Sequence, residues 1–244
     1  MSTTVLDHDF LKYLADIHDH ASGGHQPPRL KWYLTTIIAF GGMNYPELIP
    51  ELYQILLKEH IPQEDQMQET RKIREGLTRV CGIWGAAKTG SATRQLSKAT
   101  PQHLKDPTVY RSREPQEVAF KRGQEMLDRI YKRIPGYDMS LVSEASPDYG
   151  WIVNRADGGK TDLFYGHVFS FPEILDAVET GQCVVAALFS TDCQEQVRNH
   201  MLGMMYSGGT RGEVQGIRAV VMAVADKLGV VGKQGRRAIE VPEI

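Results

Sequence analysis

The sequence predicts an all-α protein. Three observations carry this. Apolar residues recur at helical spacing along most of the chain, while Val, Ile and Thr form no series of alternating strands. Cap-like residues precede the periodic stretches, and Gly or Pro comes after them. The connection between the last two periodic stretches is short, as in an antiparallel helical hairpin.

Taken in order, residues 8–20 place Phe10, Leu11, Leu14 and Ile17 near one helical face, and 21–28 (ASGGHQPP) read as a loop. Leu30 to Phe40 is an apolar segment ended by Gly41-Gly42. Pro46 or Pro50 suits the first turn of a helix reaching residue 59, with Leu52, Ile55 and Leu56 on one side. A longer helix is expected over 66–88. Residues 97–116 are polar and carry Pro101, Pro107 and Pro115, which marks a boundary. A helix over 116–133 presents Val118, Met126, Ile130 and Tyr131. A loop over 135–150 precedes Trp151. Three helices are then expected near 171–190, 193–207 and 211–229. Asp192 to Glu195 and Thr210 to Glu213 both fit a capping box, and Ser207-Gly208-Gly209 turns the chain between the last two helices. Gly203 and Gly216 permit close helix contacts.

Composition sets outer bounds. The 244 residues suffice to bury a substantial core. Lys and Arg number 28 against 30 Asp and Glu, a net charge of −2, so no basic surface is available for general nucleic-acid binding. No apolar run approaches the ~18 residues of a membrane span. The N-terminus has no apolar signal core, and Val241-Pro242-Glu243-Ile244 matches no lipidation or peroxisomal tag. A cytoplasmic protein is expected, with its three cysteines as free thiols.

The segment richest in chemistry is Cys193 to His200. In a helix, Cys193, Gln196 and His200 share one face, and Cys193 falls in the first turn, where the helix dipole favours a thiolate. Seven residues separate Cys193 from His200 by roughly 10 Å along the axis, too far for a direct pair within the helix. His200 has the residue type of an acid/base, and also lies on a stripe with Val197, Met201 and Met204 that reads equally as core. Trp84 and Tyr165 suit either an apolar pocket or the core, and His167 precedes Phe169 at the mouth of the last unit. His18, His20 and His25 beside Asp16 and Asp19 match no standard metal spacing, so no metal is expected. Gly82 to Thr89 falls one glycine short of a phosphate-binding loop.

Tyr165 to Ser170, Arg198-Asn199-His200 and Ser207 to Val214 together resemble the carboxymuconolactone decarboxylase / alkyl hydroperoxidase D-like family, with Ala119 to Gly123 as its lead-in. Residues 29–96 resemble a second, diverged copy; Ile73-Arg74 to Gly85 repeats the spacing of Ile217-Arg218 to Gly229. The resemblance implies two diverged antiparallel helical units, divided as an extension over 1–28, a first unit over 29–110 and a second over 111–244. It implies a homo-oligomer, dimer or trimer, acting on a small-molecule substrate without cofactor. The family's redox branch carries two cysteines and a histidine at the positions of Cys193, Gln196 and His200. Gln196 in place of the second cysteine argues against disulfide chemistry. The expectation is an enzyme, a cofactor-independent lyase or isomerase, with His200 and Cys193 catalytic and Gln196, His167, Trp84 and Tyr165 lining the substrate. A thiol-dependent peroxidase and a non-catalytic scaffold are the rivals.

Overall fold

A computed structural model describes residues 5–23, 29–138, 140–153, 163–233 and 239–243. Among them every regular element is a helix, and the fold is all-α. The first half holds α1 (His8–Ala21), α2 (Trp32–Gly42), α3 (Ile49–Ile55), α4 (Gln66–Arg79) and α5 (Cys81–Ala99). The second holds α6 (Gln116–Tyr131), α7 (Ser140–Ala145), α8 (Pro147–Val153), α9 (Ala177–Ser190), α10 (Gln194–Tyr206) and α11 (Arg211–Leu228). A 3-10 turn, Pro46–Leu48, leads into α3, and a π turn, Leu56–His60, leaves it. A second π turn, Leu163–Phe169, precedes α9.

Two helices are central. Every residue of α2 is buried, as expected of a helix whose apolar residues run all round rather than along one stripe. Nearly all of α9 is buried too. These helices pack on each other, and α11 packs on both, with α1 on its outer side. On α11, Val214, Ile217, Val221 and Val224 form a buried face, and Leu228 at its end is half-buried. One continuous core runs from Leu6 in the N-terminal segment to Val241 near the C-terminus, so residues from both halves share it. No helix is long and apolar enough to cross a membrane among the described residues.

Helix starts obey the chemistry of orphan amides. Thr210 caps α11 as expected: its hydroxyl accepts from Glu213 N at 3.1 Å, and Glu213 reaches back to Thr210 N at 2.8 Å. An equivalent box, Asp176 with Glu179, starts α9. The box expected at Asp192 does not form. Asp192 takes a left-handed φ of +54°, and its carboxylate accepts instead from the Gln194 side chain and Lys233 N. Cys193 becomes the N-cap of α10, with no side-chain capping bond.

Three other expectations are corrected. The helix expected over 66–88 is broken at Val80. Gly85 (φ +75°, ψ 175°) then interrupts α5, in a conformation open essentially to glycine alone. Helical structure resumes and continues to Ala99. The near-match to a phosphate loop lies across this break, with the Lys88 ammonium donating to the Gly42 carbonyl at 2.6 Å. The expected 135–150 loop contains α7 and the start of α8; Ser146 O accepts from Gly150 N at 2.9 Å in its first turn. Val118, expected on the apolar face of α6, is 51% exposed. Among the described residues no three His, Cys, Asp or Glu side chains are placed to hold an ion, and His25 of the histidine-rich N-terminal stretch lies outside those residues.

Candidate functional site

The buried polar centre of the second half is a chain of three side chains. The Tyr131 hydroxyl lies 2.9 Å from the Tyr165 hydroxyl and 3.3 Å from His200 Nε2. All three residues are buried. Tyr131 comes from the last turn of α6, Tyr165 from the second π turn and His200 from the middle of α10. The partly exposed Tyr137 stacks on Tyr131 at 4.4 Å and forms the outer edge of the group.

Two glycines bring these elements together. A Cβ on Gly203 would stand 2.7 Å from Ile130 Cγ1, so α10 approaches α6 one turn beyond His200 and next to Tyr131. A Cβ on Gly123 would stand 2.5 Å from the backbone N of Gly166, so α6 lies directly against the π turn, two turns before Tyr131. Side chains at either position would push the three polar groups apart.

Arginines hold the π turn from the other side. Arg79 is fully buried; its Nε donates to Glu75 at 2.6 Å, and its two terminal nitrogens donate to the carbonyls of Phe169 and Phe171. Arg111 binds both Glu75 oxygens, at 2.5 and 3.0 Å, donates to the His167 carbonyl at 2.6 Å, and lies over the Phe171 ring. Arg122 donates to the Gly166 carbonyl and the Ser170 hydroxyl, both at 3.1 Å, and is paired with Glu114. The carbonyls of 166–169 and of Phe171 thus accept from charged donors, which makes this irregular segment a fixed support for Tyr165.

Electrostatically the three-residue chain is neutral at pH 7. Burial pushes the His200 imidazolium down to about pH 4. Burial also raises the Tyr131 phenol far above its ordinary value. In the neutral tautomer that leaves Nε2 without a proton, it accepts from the Tyr131 hydroxyl, and Tyr131 in turn accepts from Tyr165; in the other tautomer Nε2 donates to Tyr131. Such a group can donate to or accept from an uncharged oxygen, but it offers no charge.

The structure brings together two of the expected site residues, His200 and Tyr165, through Tyr131. It separates others. Trp84 lies over Gly41 and Gly42 at the end of α2, its indole N–H without a partner among the described residues. His167 is half-buried with its ring against Phe120. Cys193 and Gln196 are half-buried at the start of α10, and neither makes a hydrogen bond to the chain of three. All three cysteines are free, and burial raises the Cys183 and Cys81 thiols.

Fold and site thus define an all-α protein with a buried, uncharged tyrosine–histidine centre. Peroxisomal protein 2 of Schizosaccharomyces pombe is 24% identical to the chain over 198 residues, spanning 81% of this chain and 87% of the relative. Peroxisomal protein 2 of Saccharomyces cerevisiae is 25% identical over 266 residues, 85% of this chain and 93% of the relative. No protein-family model matches the sequence, and no solved structure does.

These findings correct three expectations. The resemblance to the carboxymuconolactone decarboxylase / alkyl hydroperoxidase D-like family is overturned, because no family model matches and the relatives bear a different name. The lyase, isomerase and peroxidase readings drawn from it are overturned with it. The physical source of the misreading is visible. A glycine-ended helix and then a Thr–Glu capping box make up most of the matched motif, and those are general helix-end devices. The cytoplasmic expectation is overturned by the relatives' peroxisomal name. That expectation leaned on Val241 to Ile244 matching no recognised tag, and the lack of one short receptor-read address does not fix a compartment.

Proposed function

We propose that this chain is a peroxisomal protein that holds a small, oxygen-bearing organic molecule at the Tyr165–Tyr131–His200 centre. The peroxisomal part rests on two relatives of that name that align along most of the chain. The binding part rests on one observation: three buried polar side chains from three different elements are joined by hydrogen bonds without a charge among them at neutral pH. Buried polar groups are costly unless satisfied, and a chain of hydroxyls and imidazole ending near a partly exposed tyrosine is suited to a carbonyl or hydroxyl oxygen. A carboxylate would meet no cation there.

The test uses an S. pombe strain lacking its Peroxisomal protein 2. A fluorescent fusion of this chain is expected to colocalise with a peroxisomal marker, and diffuse cytosolic fluorescence would overturn the location. The same strain is then rescued with the wild-type chain or with Tyr131→Phe, and small-molecule extracts are compared by mass spectrometry. Wild type is expected to restore the metabolite profile and Tyr131→Phe to leave part of it unrestored. Equal restoration by a stably expressed Tyr131→Phe would overturn the assignment of the site.

A further inference from the structure

A second set of polar groups lies on the opposite side of the arginine cluster, outside the tyrosine–histidine centre. On α4, Arg71, Arg74, Glu75 and Thr78 keep helical spacing and form one wall of a cavity of about 200 Å³. Thr108, Tyr110 and Arg111 form the facing wall. A neighbouring cavity of about 270 Å³ is lined by Thr93, Ser97 and Lys105, and Arg74 borders both.

The charges here do not balance. Glu75 is taken by Arg79 and Arg111. Asp106 accepts from Tyr110 at 2.6 Å, from Thr108 N at 2.9 Å and from Arg71 Nε at 2.7 Å, which holds its carboxyl far below the usual range. Both carboxylates are engaged by donors other than Arg74. Among the described residues no hydrogen bond or ion pair reaches the half-buried Arg74 guanidinium, and Arg71 uses only Nε. Four arginines therefore meet two carboxylates, with hydroxyls around them. Guanidinium groups in this fork geometry match an oxyanion, and the residual repulsion between them falls when one binds.

We infer that the cleft between α4, α5 and the 105–111 segment is a binding site for an oxyanion group, phosphate or carboxylate, of a small molecule, with Arg74 as its principal ligand. The phosphate or carboxylate sits between Arg74, Arg71 and the facing hydroxyls, and the remainder extends past Arg74 toward Lys105. This inference is independent of the tyrosine–histidine site.

Isothermal titration calorimetry of the full chain tests it, with inorganic phosphate, pyrophosphate and succinate as probes at ionic strength held constant with sodium chloride. Saturable binding of at least one probe is expected, weakened tenfold or more by Arg74→Gln and less by Arg74→Lys. Preference for phosphates or for succinate identifies the head group. Lys105→Gln, at an exposed position, is expected to weaken pyrophosphate more than phosphate and serves if Arg74→Gln loses its native circular dichroism. Heats no larger than those of sodium chloride for all three probes, or probe binding undiminished by Arg74→Gln in a native fold or, failing that fold, by Lys105→Gln, would overturn the site.

Discussion

Tyr131 joins the site, and it is the residue that sequence reasoning placed only on an apolar helix face. Its hydroxyl serves both Tyr165 and His200, so Tyr131→Phe takes a hydrogen-bond partner from two buried polar groups at once. A loss of roughly 1–3 kcal/mol is expected, since an unsatisfied buried partner costs more than the bond itself contributes. Urea denaturation at pH 7 checks this, with an unchanged m-value showing that the fold persists. His200 gives a pH prediction. Its folded pKa, about 4, lies below the ordinary 6.5, so between those values the unfolded chain binds more protons than the folded one. Stability from this residue is full above pH 6.5 and falls as the solution is acidified toward pH 4, by up to about 3 kcal/mol. Buried His18, whose pKa is also lowered by burial, adds a slope of the same sign. Denaturation curves at pH 7, 6 and 5 should show the decline, and His200→Gln should flatten it in part. His200 and Tyr165 were legible because histidine and tyrosine stand out on apolar stretches. Tyr131 was not, because its role arises only when α6 meets two other elements. Arg79 left a fainter trace: its i,i+4 spacing from Glu75 is that of an ion pair along a helix.

At the scale of elements, the close approach of α6 to the π turn decides whether the site exists. A Cβ at position 123 meets backbone rather than a movable side chain, so Gly123→Ala must shift α6 or the turn. Overpacking of this kind costs about 1–3 kcal/mol. The variant is expected to lose that stability and to separate Tyr131 from Tyr165, which the tyrosine near-ultraviolet circular dichroism would report. Arg79→Leu attacks the same turn from its other face. It leaves the carbonyls of Phe169 and Phe171 without their charged donor and Glu75 with one partner fewer. Breaking one side of a buried pair costs about 3–5 kcal/mol, and faster amide hydrogen exchange over 163–171 than elsewhere should accompany it. Helix ends were legible where a cap was local, as at Thr210 and Ser207-Gly208. They were not where a long-range bond competed, as at Asp192, whose carboxylate is drawn to Lys233. The break after Arg79 was signalled by Gly82 and Gly85, but periodicity on both sides of it masked the signal.

At the scale of the molecule, the all-α class was legible because helical periodicity is a local property that recurs in nearly every segment. How the segments are shared out was not, because it depends on which apolar faces meet. The all-round apolar character of α2 and α9 is explained by their packing on each other across the sequence, with α11 against both. The second half cannot cover α9 and α11 by itself: α2 supplies part of that cover, and α1 buries the outer side of α11, where Gly212 and Gly216 admit its backbone. Removing residues 1–110 would expose the α2-facing sides of both helices, and the apolar surface returned to water would outweigh what remains to hold them, given the narrow margin by which domains are stable. The full chain is therefore expected to unfold in one cooperative transition, with calorimetric and van 't Hoff enthalpies equal. A fragment of residues 111–244 is expected to keep far-ultraviolet helical signal while losing near-ultraviolet structure and binding a hydrophobic dye. Two resolved transitions in the full chain, or a fragment with native near-ultraviolet circular dichroism, would instead mean that the halves fold as separate units and that α2 merely rests on a core the second half already completes.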